Sequence, residues 1–500
     1  VENVQILSSN LVSNSDFSQE GSEEVSNGSF SQEGAELVTN GSFATDSSWT
    51  TSNQSTISNG VARILSTDGS YQYIAQTSVG YSNTQGKQVK VTLEITEYIS
   101  GILKLQFSGG TSYVFPTSVG VHTLYVLNDG TSGTLNLARV GGATDISIDN
   151  VSVKEVGQDW TLTSSGDSSS NVIIANGSCQ IISDGTLTGL TQTLVTTIGK
   201  TYKCTINISS VNNIGGGIAI SNGNVFASSI ATFTTAEIHT FYFKATSTSV
   251  SIKRASGLGG SIDYTIDNVS VKEVGQDWAL GTGWSIGEGK AERLVATSSS
   301  DLVQTSVFSN LTSTFRISFD IEASAGSVRA RLGQTNLNYV GQGSHTFYAI
   351  PSGNDQLKFQ ADSSFIGSIT NISVKEVGQD WEVANSDANN YVEFGDGTAR
   401  LKFLNISPVT KLVSQSFSFI SGKKYKLTID IAEAISGSFK VELFGGQEVF
   451  NSVGVNERFV EAVGSGVFTI YRNSPNVDIT LNSISVIEIT DDTNLPRINY

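Results

Sequence analysis

The chain has 500 residues, with 50 glycines, 5 prolines, 2 cysteines and no methionine, and only 15% of it is charged. Its 29 basic against 46 acidic residues leave a formal charge of −17, which repels a phosphate backbone and excludes the basic stripe that nucleic acid binding needs. No apolar run reaches the roughly 18 residues of a membrane helix, and no basic-plus-apolar leader opens the chain, so membrane insertion is not expected.

Abundant Ser, Thr, Asn and Gly between short Val/Ile/Thr/Phe runs read as all-β. Residues 1–36 stand apart. Val12-Ser-Asn-Ser-Asp-Phe17 recurs as Val25-Ser-Asn-Gly-Ser-Phe30 and as Val38-Thr-Asn-Gly-Ser-Phe43, a 13-residue step. The third copy opens the first full domain, which leaves two surplus first strands with no sandwich of their own. They stay mobile, pack on the first domain, or pair with a neighbouring chain. A semi-ordered leader left by duplication is the plainest expectation.

From residue 37 onward the chain repeats at about 110 residues, a length that suits one sandwich-sized core per unit. The expected organisation is four tandem jelly-roll β-sandwiches, at 37–156, 157–274, 275–377 and 378–490, with 491–500 starting a linker to a further domain. Without methionine, Val1 reads as the start of a processed chain or of a fragment. A central strand recurs as Val89–Ile95, Tyr202–Ile208, Phe315–Ile321 and Tyr425–Ile431, apolar at odd places and polar at even ones, so one face is buried and the other wet. On the wet face Glu94, Asp320 and Asp430 are expected to pair with Lys90, Arg316 and Lys426.

The closing strand Ile146-Ser-Ile-Asp-Asn-Val-Ser-Val153 changes parity between Asp149 and Val151, which calls for a β-bulge there and at the three equivalent places. The phrase Val151-Ser-Val-Lys-Glu-Val-Gly-Gln-Asp-Trp160 then returns unchanged at 269–278 and with one change at 372–381. Its second half leaves about one spare residue between domains, which predicts a stiff rod whose joints are packed by Trp160, Trp278 and Trp381, with Trp49 in the matching place of the first unit.

Sites of chemistry are few. His122, His239 and His345 hold one repeat position in three units, so they cannot converge and read as strand edges. Cys179 and Cys204 align with apolar core positions and read as free thiols, or as one buried disulfide. No pair of facing carboxylates, P-loop, dinucleotide fingerprint or zinc spacing is present, and catalysis is not expected.

The ends of each unit, Leu37-Val-Thr-Asn-Gly-Ser-Phe43 with Trp49 and Ile148-Asp-Asn-Val-Ser-Val153, resemble the jelly-roll carbohydrate-binding modules of the galactose-binding-like superfamily across residues 37–490. Val-Ser-Val-Lys-Glu-Val and Thr493-Asn-Leu-Pro-Arg-Ile-Asn-Tyr500 are also similar to repeat-bearing tail-fibre or virion-surface proteins of marine bacteriophages, in which Leu-Pro-Arg leads into a further domain. The first resemblance implies glycan binding on aromatic platforms, with Tyr71, Tyr73, Tyr113 and Phe115 in the first unit and Tyr339 and Phe347 in the third as candidates. It also implies a structural calcium in some modules; here only Asp149 and Asp267 keep the last-strand acid, so calcium is expected in the first two units or nowhere.

The expected protein is a non-enzymatic extracellular or virion-surface adhesin or fibre that attaches to surface polysaccharide or a cell envelope and self-associates. The alternatives are a filament subunit exchanging strands through its leader, and the carbohydrate-binding arm of a polysaccharide-degrading enzyme.

Overall fold

The computed structural model describes residues 2–3, 9–164, 169–193, 196–296, 298–387, 389–395, 397–404, 409–443 and 446–490. The expected linker at 491–500 lies outside them. The chain forms two compact units, Glu20–Val274 and Val1–Gln19 with Gly275–Tyr500. Each holds two antiparallel sandwiches, so the all-β jelly-roll reading holds.

Alternation drives each sandwich. In the strand Gln88–Ser100, Val89, Val91, Leu93 and Ile95 are all at 0% exposure while Lys90, Thr92 and Glu94 face outward. Burying each such aliphatic contributes about 1.5–3 kcal/mol, so parity fixes which face meets the core. The first sandwich has one sheet in the order Gly120–Leu127, Gln88–Ser100, Thr144–Val156, Val61–Ser66 and Thr56–Ser58. The facing sheet runs Ser112–Val114, Leu103–Phe107, Thr134–Arg139, Tyr73–Thr77 and Thr50–Thr51. The other three sandwiches repeat both orders. The one helix among the described residues, Val79–Asn83, is a five-residue turn capped by Ser78.

The bulges fall where parity requires them. The closing strand shifts register between Asp149 and Ser152, and the equivalent shifts lie at Asp267, Thr370 and the Asn482 step. Asn150, Asn268 and Asn371 take φ of 52°, 47° and 52°, a left-handed conformation that asparagine tolerates better than most side chains. The bulge also redirects the wet-face acids. Glu94, Asp320 and Asp430 accept from the side-chain amides of Asn150, Asn371 and Asn482 at 3.0, 2.6 and 3.2 Å.

The lysines expected beside those acids have other partners: Lys426 pairs with Glu457 of the neighbouring strand at 2.6 Å, and Lys90 pairs with the leader. Glu33 is held by Lys90 and Lys154 at 2.7 and 3.1 Å, and Glu20 by Lys203 and Lys272 at 2.6 and 3.1 Å. The leader is therefore not a loose remnant. Strand Glu33–Glu36 pairs with Thr144–Val156 of the first sandwich, and Glu20–Glu23 pairs with Ile262–Val274 of the second. Leu11 N–H donates to Val374 O at 2.9 Å, which places the first copy on the third sandwich.

All three copies are seated by the same devices. The Glu36 carboxylate accepts from Val153 N–H at 2.8 Å and Ser152 Oγ at 2.5 Å, and Glu23 does so from Val271 N–H at 2.8 Å and Ser270 Oγ at 2.6 Å. Asn10 Oδ1 substitutes in the third sandwich, accepting from Val374 N–H at 2.8 Å. From the opposite sheet a buried glutamine clamps the leader backbone through both ends of its amide. Gln76 bonds Thr39 N and O at 2.9 and 2.7 Å, Gln192 bonds Ser26 at 2.8 and 2.8 Å, and Gln304 bonds Ser13 at 3.0 and 2.9 Å.

The tryptophans belong to this seat. Phe43 meets Trp49, Phe30 meets Trp160 and Phe17 meets Trp278 at centroid distances of 5.3, 5.4 and 5.4 Å. Each indole Nε1 donates to the leader carbonyl of Asn40, Asn27 or Asn14 at 3.0, 3.2 and 3.2 Å. The expected packing at joints is corrected accordingly for Trp49, Trp160 and Trp278, which are buried within their own sandwich, while Trp381 is buried in the fourth core and also lines a cavity with Asn310, Thr312 and Thr314 of the third. The Asn-Gly step has a steric reason. A Cβ on Gly41 or Gly28 would sit 2.0 or 2.1 Å from the Val151 or Val269 carbonyl oxygen, the residue whose N–H bonds that glycine's own carbonyl at 2.9 Å. Ser15 takes this place in the first copy, where the matching bond from Ile372 is 3.1 Å.

The joint between the first two sandwiches is made by other residues. Ile174 N–H donates to Gln88 Oε1 at 2.6 Å, Gln88 Nε2 donates to Val172 O, and the Tyr125 hydroxyl donates to Asn176 Oδ1 at 3.2 Å. Gly157, with φ of 71°, lies where a Cβ would meet Ile174 Cδ1 at 2.4 Å.

Candidate functional site

The outer face of the sheet that holds Leu103–Phe107, and of its counterparts, carries a side-chain arrangement that recurs among the described residues of three sandwiches. In the first sandwich Tyr73, Ala138, Lys104 and Val114 are direct cross-strand neighbours, and Ala75, Asn136, Gln106 and Ser112 form the next row. Tyr71, 52% exposed, lies 5.6 Å from Tyr73, and Lys104 Nζ stands 5.9 Å from its ring centre. Lys104 donates to Gln106 Oε1 at 3.1 Å and Ser112 Oγ at 3.3 Å. Burial raises the Tyr71 phenol above its ordinary value, and like any phenol it is a hydrogen-bond donor at neutral pH.

The third sandwich builds the same chemistry from different strands. The Arg329 guanidinium lies 4.8 Å over the ring of Tyr339, which is 43% exposed. Gln360 Oε1 accepts from Arg329 Nε at 2.8 Å and from the Tyr339 hydroxyl at 3.3 Å. In the fourth, Lys440 Nζ sits 4.5 Å over Tyr471 and donates to Gln447 Oε1 at 2.9 Å, Gln447 Nε2 donates to the Tyr471 hydroxyl at 2.8 Å, and that hydroxyl donates to Glu442. Burial and the Glu442 carboxylate push the Tyr471 phenol up to about 12.

Among the described residues, the second sandwich lacks this arrangement. Its outer face presents Thr191, Ser251 and Lys253, and Lys253 is buried with Nζ donating to Val225 O at 2.9 Å and to Ala227 O. Burial lowers its pKa.

Of the six aromatic candidates from the sequence, Tyr71, Tyr73 and Tyr339 stand on these faces. The others do not. Phe115 is core at 1% exposure, Tyr113 packs against the same core with its hydroxyl on Leu127 O at 3.3 Å, and Phe347 lies in the other sheet against Phe319 at 6.2 Å. Sequence reasoning missed Tyr471 and the flanking Lys104, Arg329, Gln360, Lys440 and Gln447. Their outward parity beside buried neighbours was visible in Leu103–Phe107, Val328–Leu332 and Phe439–Glu442, but cross-strand adjacency was not.

A tyrosine ring with a cation over it and an amide beside it joins an apolar surface to hydrogen-bonding groups, the two kinds of contact that a sugar's apolar face and hydroxyls take. The remaining candidates have local duties. His122, His239 and His345 donate through Nε2 to the carbonyls of Ser118, Thr235 and Gly341 at 2.6, 3.0 and 2.8 Å, each closing its own turn. Cys179 and Cys204 are free, buried thiols, and burial pushes Cys204 up to about 12 and Cys179 further in the same direction. Asp149 and Asp267 each fold back onto the next residue's N–H, at 2.6 and 2.7 Å, and no group of three or more His, Cys, Asp or Glu converges among the described residues. That donor set does not suit a calcium ion, which takes six or more oxygens.

No family model and no curated protein matches this sequence. Among solved structures it is similar to the N-terminal CBM22-1–CBM22-2 tandem domain of Xyn10C from Paenibacillus barcinonensis, at 11% identity and TM-score 0.18, over 49% of this chain and 99% of that one. It is also similar to a triple jelly roll from an archaeal virus turret, at 12% identity and TM-score 0.19, over 66% and 89% of the two chains. A third is the CBM32-1, CBM32-2 and M60 catalytic domains of Clostridium perfringens ZmpB, at 9% identity and TM-score 0.13, over 62% and 54%. The fold assignment itself stands on the sheet orders given above.

Proposed function

We propose that this chain is a non-enzymatic surface protein that attaches to polysaccharide through tandem carbohydrate-binding-like jelly rolls. The reading is carried by the recurrence of a tyrosine beside a cation and an amide on the same sheet face of three sandwiches, exposed in Tyr71–Lys104–Gln106 and Tyr339–Arg329–Gln360 and half-buried in Tyr471–Lys440–Gln447. A structural requirement does not explain that recurrence, since the strands beneath are already packed and the second sandwich folds without it. An extracellular or virion-surface setting belongs to this proposal, because avidity from three weak sites suits attachment to a repeating polymer. Strand exchange through the leader is less favoured, since all three 13-residue copies are seated within the same chain.

The test is binding of the intact chain to a broad array of surface polysaccharides. Replacing Tyr71, Tyr339 and Tyr471 together with alanine should remove binding, while each single replacement weakens it by about tenfold or less as the other two sites hold on. No response from the unmodified chain at high concentration overturns the proposal.

A further inference from the structure

The third sandwich carries a charge arrangement that its siblings lack. On the outer face that holds Tyr339, Arg329 stands opposite Gln360 with Asp301 on Gln360's other side, and in the next row Arg331 stands opposite Lys358. Alternation turns these side chains the same way, since the residues between them are core. Like charges directly opposite on neighbouring strands are destabilising. No carboxylate relieves this pair. Among the described residues neither the Arg331 nor the Lys358 side chain makes a hydrogen bond or ion pair, and Arg331 Nε is buried without a partner. At the matching place Gln106 faces Asn136 in the first sandwich and Ser221 faces Ser251 in the second, while Glu442 replaces the arginine in the fourth. The fold therefore does not require two cations there.

A second observation lies at the Asp301 end of the same row. A cavity of ≈ 430 Å³ there has a lining that includes Gly281, Ser300, Asp301, Val303 and Gln360. Ser300 is 8% exposed, and both its hydroxyl and Asp301 Oδ1 are buried with no hydrogen-bond partner among the described residues. Buried polar atoms are ordinarily satisfied, and a ligand bearing hydroxyls satisfies both of these, donating to the carboxylate and bonding the serine.

We propose that this face of the third sandwich is a subsite for an acidic sugar, a polysaccharide unit bearing a carboxylate or a sulfate ester. The proposal rests on the polysaccharide attachment put forward above and names the class of polymer. Arg331 and Lys358 take the anionic group, and the guanidinium fork suits the paired oxygens of either acid. Tyr339 and Gln360 border the ring, and Asp301 with Ser300 takes hydroxyls of the neighbouring unit. On a chain of net charge −17, a local cluster of Arg329, Arg331 and Lys358 selects an acidic polymer that the rest of the surface repels.

The test is calorimetric titration of the full chain with polygalacturonate for the carboxylate, dextran sulfate for the sulfate and neutral dextran. At least one acidic polymer should bind about tenfold more tightly than dextran, and its binding should weaken as salt rises. Arg331→Gln and Lys358→Gln should each lower that binding by about tenfold. Because the two cations repel each other, each variant should resist denaturant as well as the unmodified chain or better. A less stable variant that also loses binding assigns the cations to the fold and overturns the proposal. Acidic-polymer binding that both variants leave unchanged does so too, as does equal binding of a DNA oligonucleotide, which makes the face a general anion patch. Binding of neutral polymers alone removes this proposal and leaves polysaccharide attachment standing, whereas no response on the broad array removes both.

Discussion

At the residue scale, the leader seat depends on a few side chains that act through geometry. Gln192 makes two hydrogen bonds to Ser26 from a buried position, so Gln192→Ala strips both and leaves the leader backbone unpaired on that side. A loss of about 1–3 kcal/mol is expected in the unfolding of the second sandwich, read by chemical denaturation. Phe30→Ala, which empties the space against Trp160, should cost about 3–5 kcal/mol unless the leader undocks first. The ion clamps add a pH dependence. Hydrogen bonds from Lys90 and then Lys154 hold Glu33 below the ordinary glutamate value of 4.5, and Lys203 and then Lys272 do the same for Glu20. A depressed carboxylate contributes stability above its unfolded pKa, and that contribution is lost as pH falls through the folded value. Leader docking should therefore hold at neutral pH and weaken below about pH 4.5, with the double variant Glu20→Gln, Glu33→Gln already weakened at pH 7 and flat across the range, as read by the rate of proteolysis between residues 9 and 36.

At the scale of elements, alternation in the sequence predicted the strands and their inward faces, and one parity slip located four bulges. These are local signals, since side-chain direction has a period of two and any break in it must be absorbed nearby. The role of the leader was not legible for the opposite reason. Glu33 pairs opposite Val156 and Glu20 opposite Val274, and no local pattern reports which distant strand a short segment will join. The same gap explains the mistaken pairing of Lys90 with Glu94, which ignored a third strand bringing Glu33 to Lys90. It also explains the binding face. Tyr71 and Tyr339 were readable as aromatics, but their cations and amides come from neighbouring strands, and Phe115 and Tyr113 share their composition while pointing inward. The near-identity of Gly-Gln-Asp-Trp at the joints reflects a turn and a leader seat together. Trp160 N–H and Trp278 N–H each close the turn on Gly157 O and Gly275 O at 3.2 Å, and their indoles receive the leader.

At the scale of the whole molecule, each 13-residue copy completes a different sandwich: Val38–Phe43 the first, Val25–Phe30 the second and Val12–Phe17 the third. Each copy is thus part of the sandwich it completes and not an addition to it. The most direct measurement of this is hydrogen exchange of the intact chain, resolved over residues 9–43. Leu11, Glu24 and Leu37 donate their amide hydrogens to Val374, Val271 and Val153, each at 2.9 Å, so they should exchange as slowly as the closing strands that hold them. Exchange of these three amides at free-chain rates, while Thr144–Val156 and Ile262–Val274 stay protected, would contradict the account.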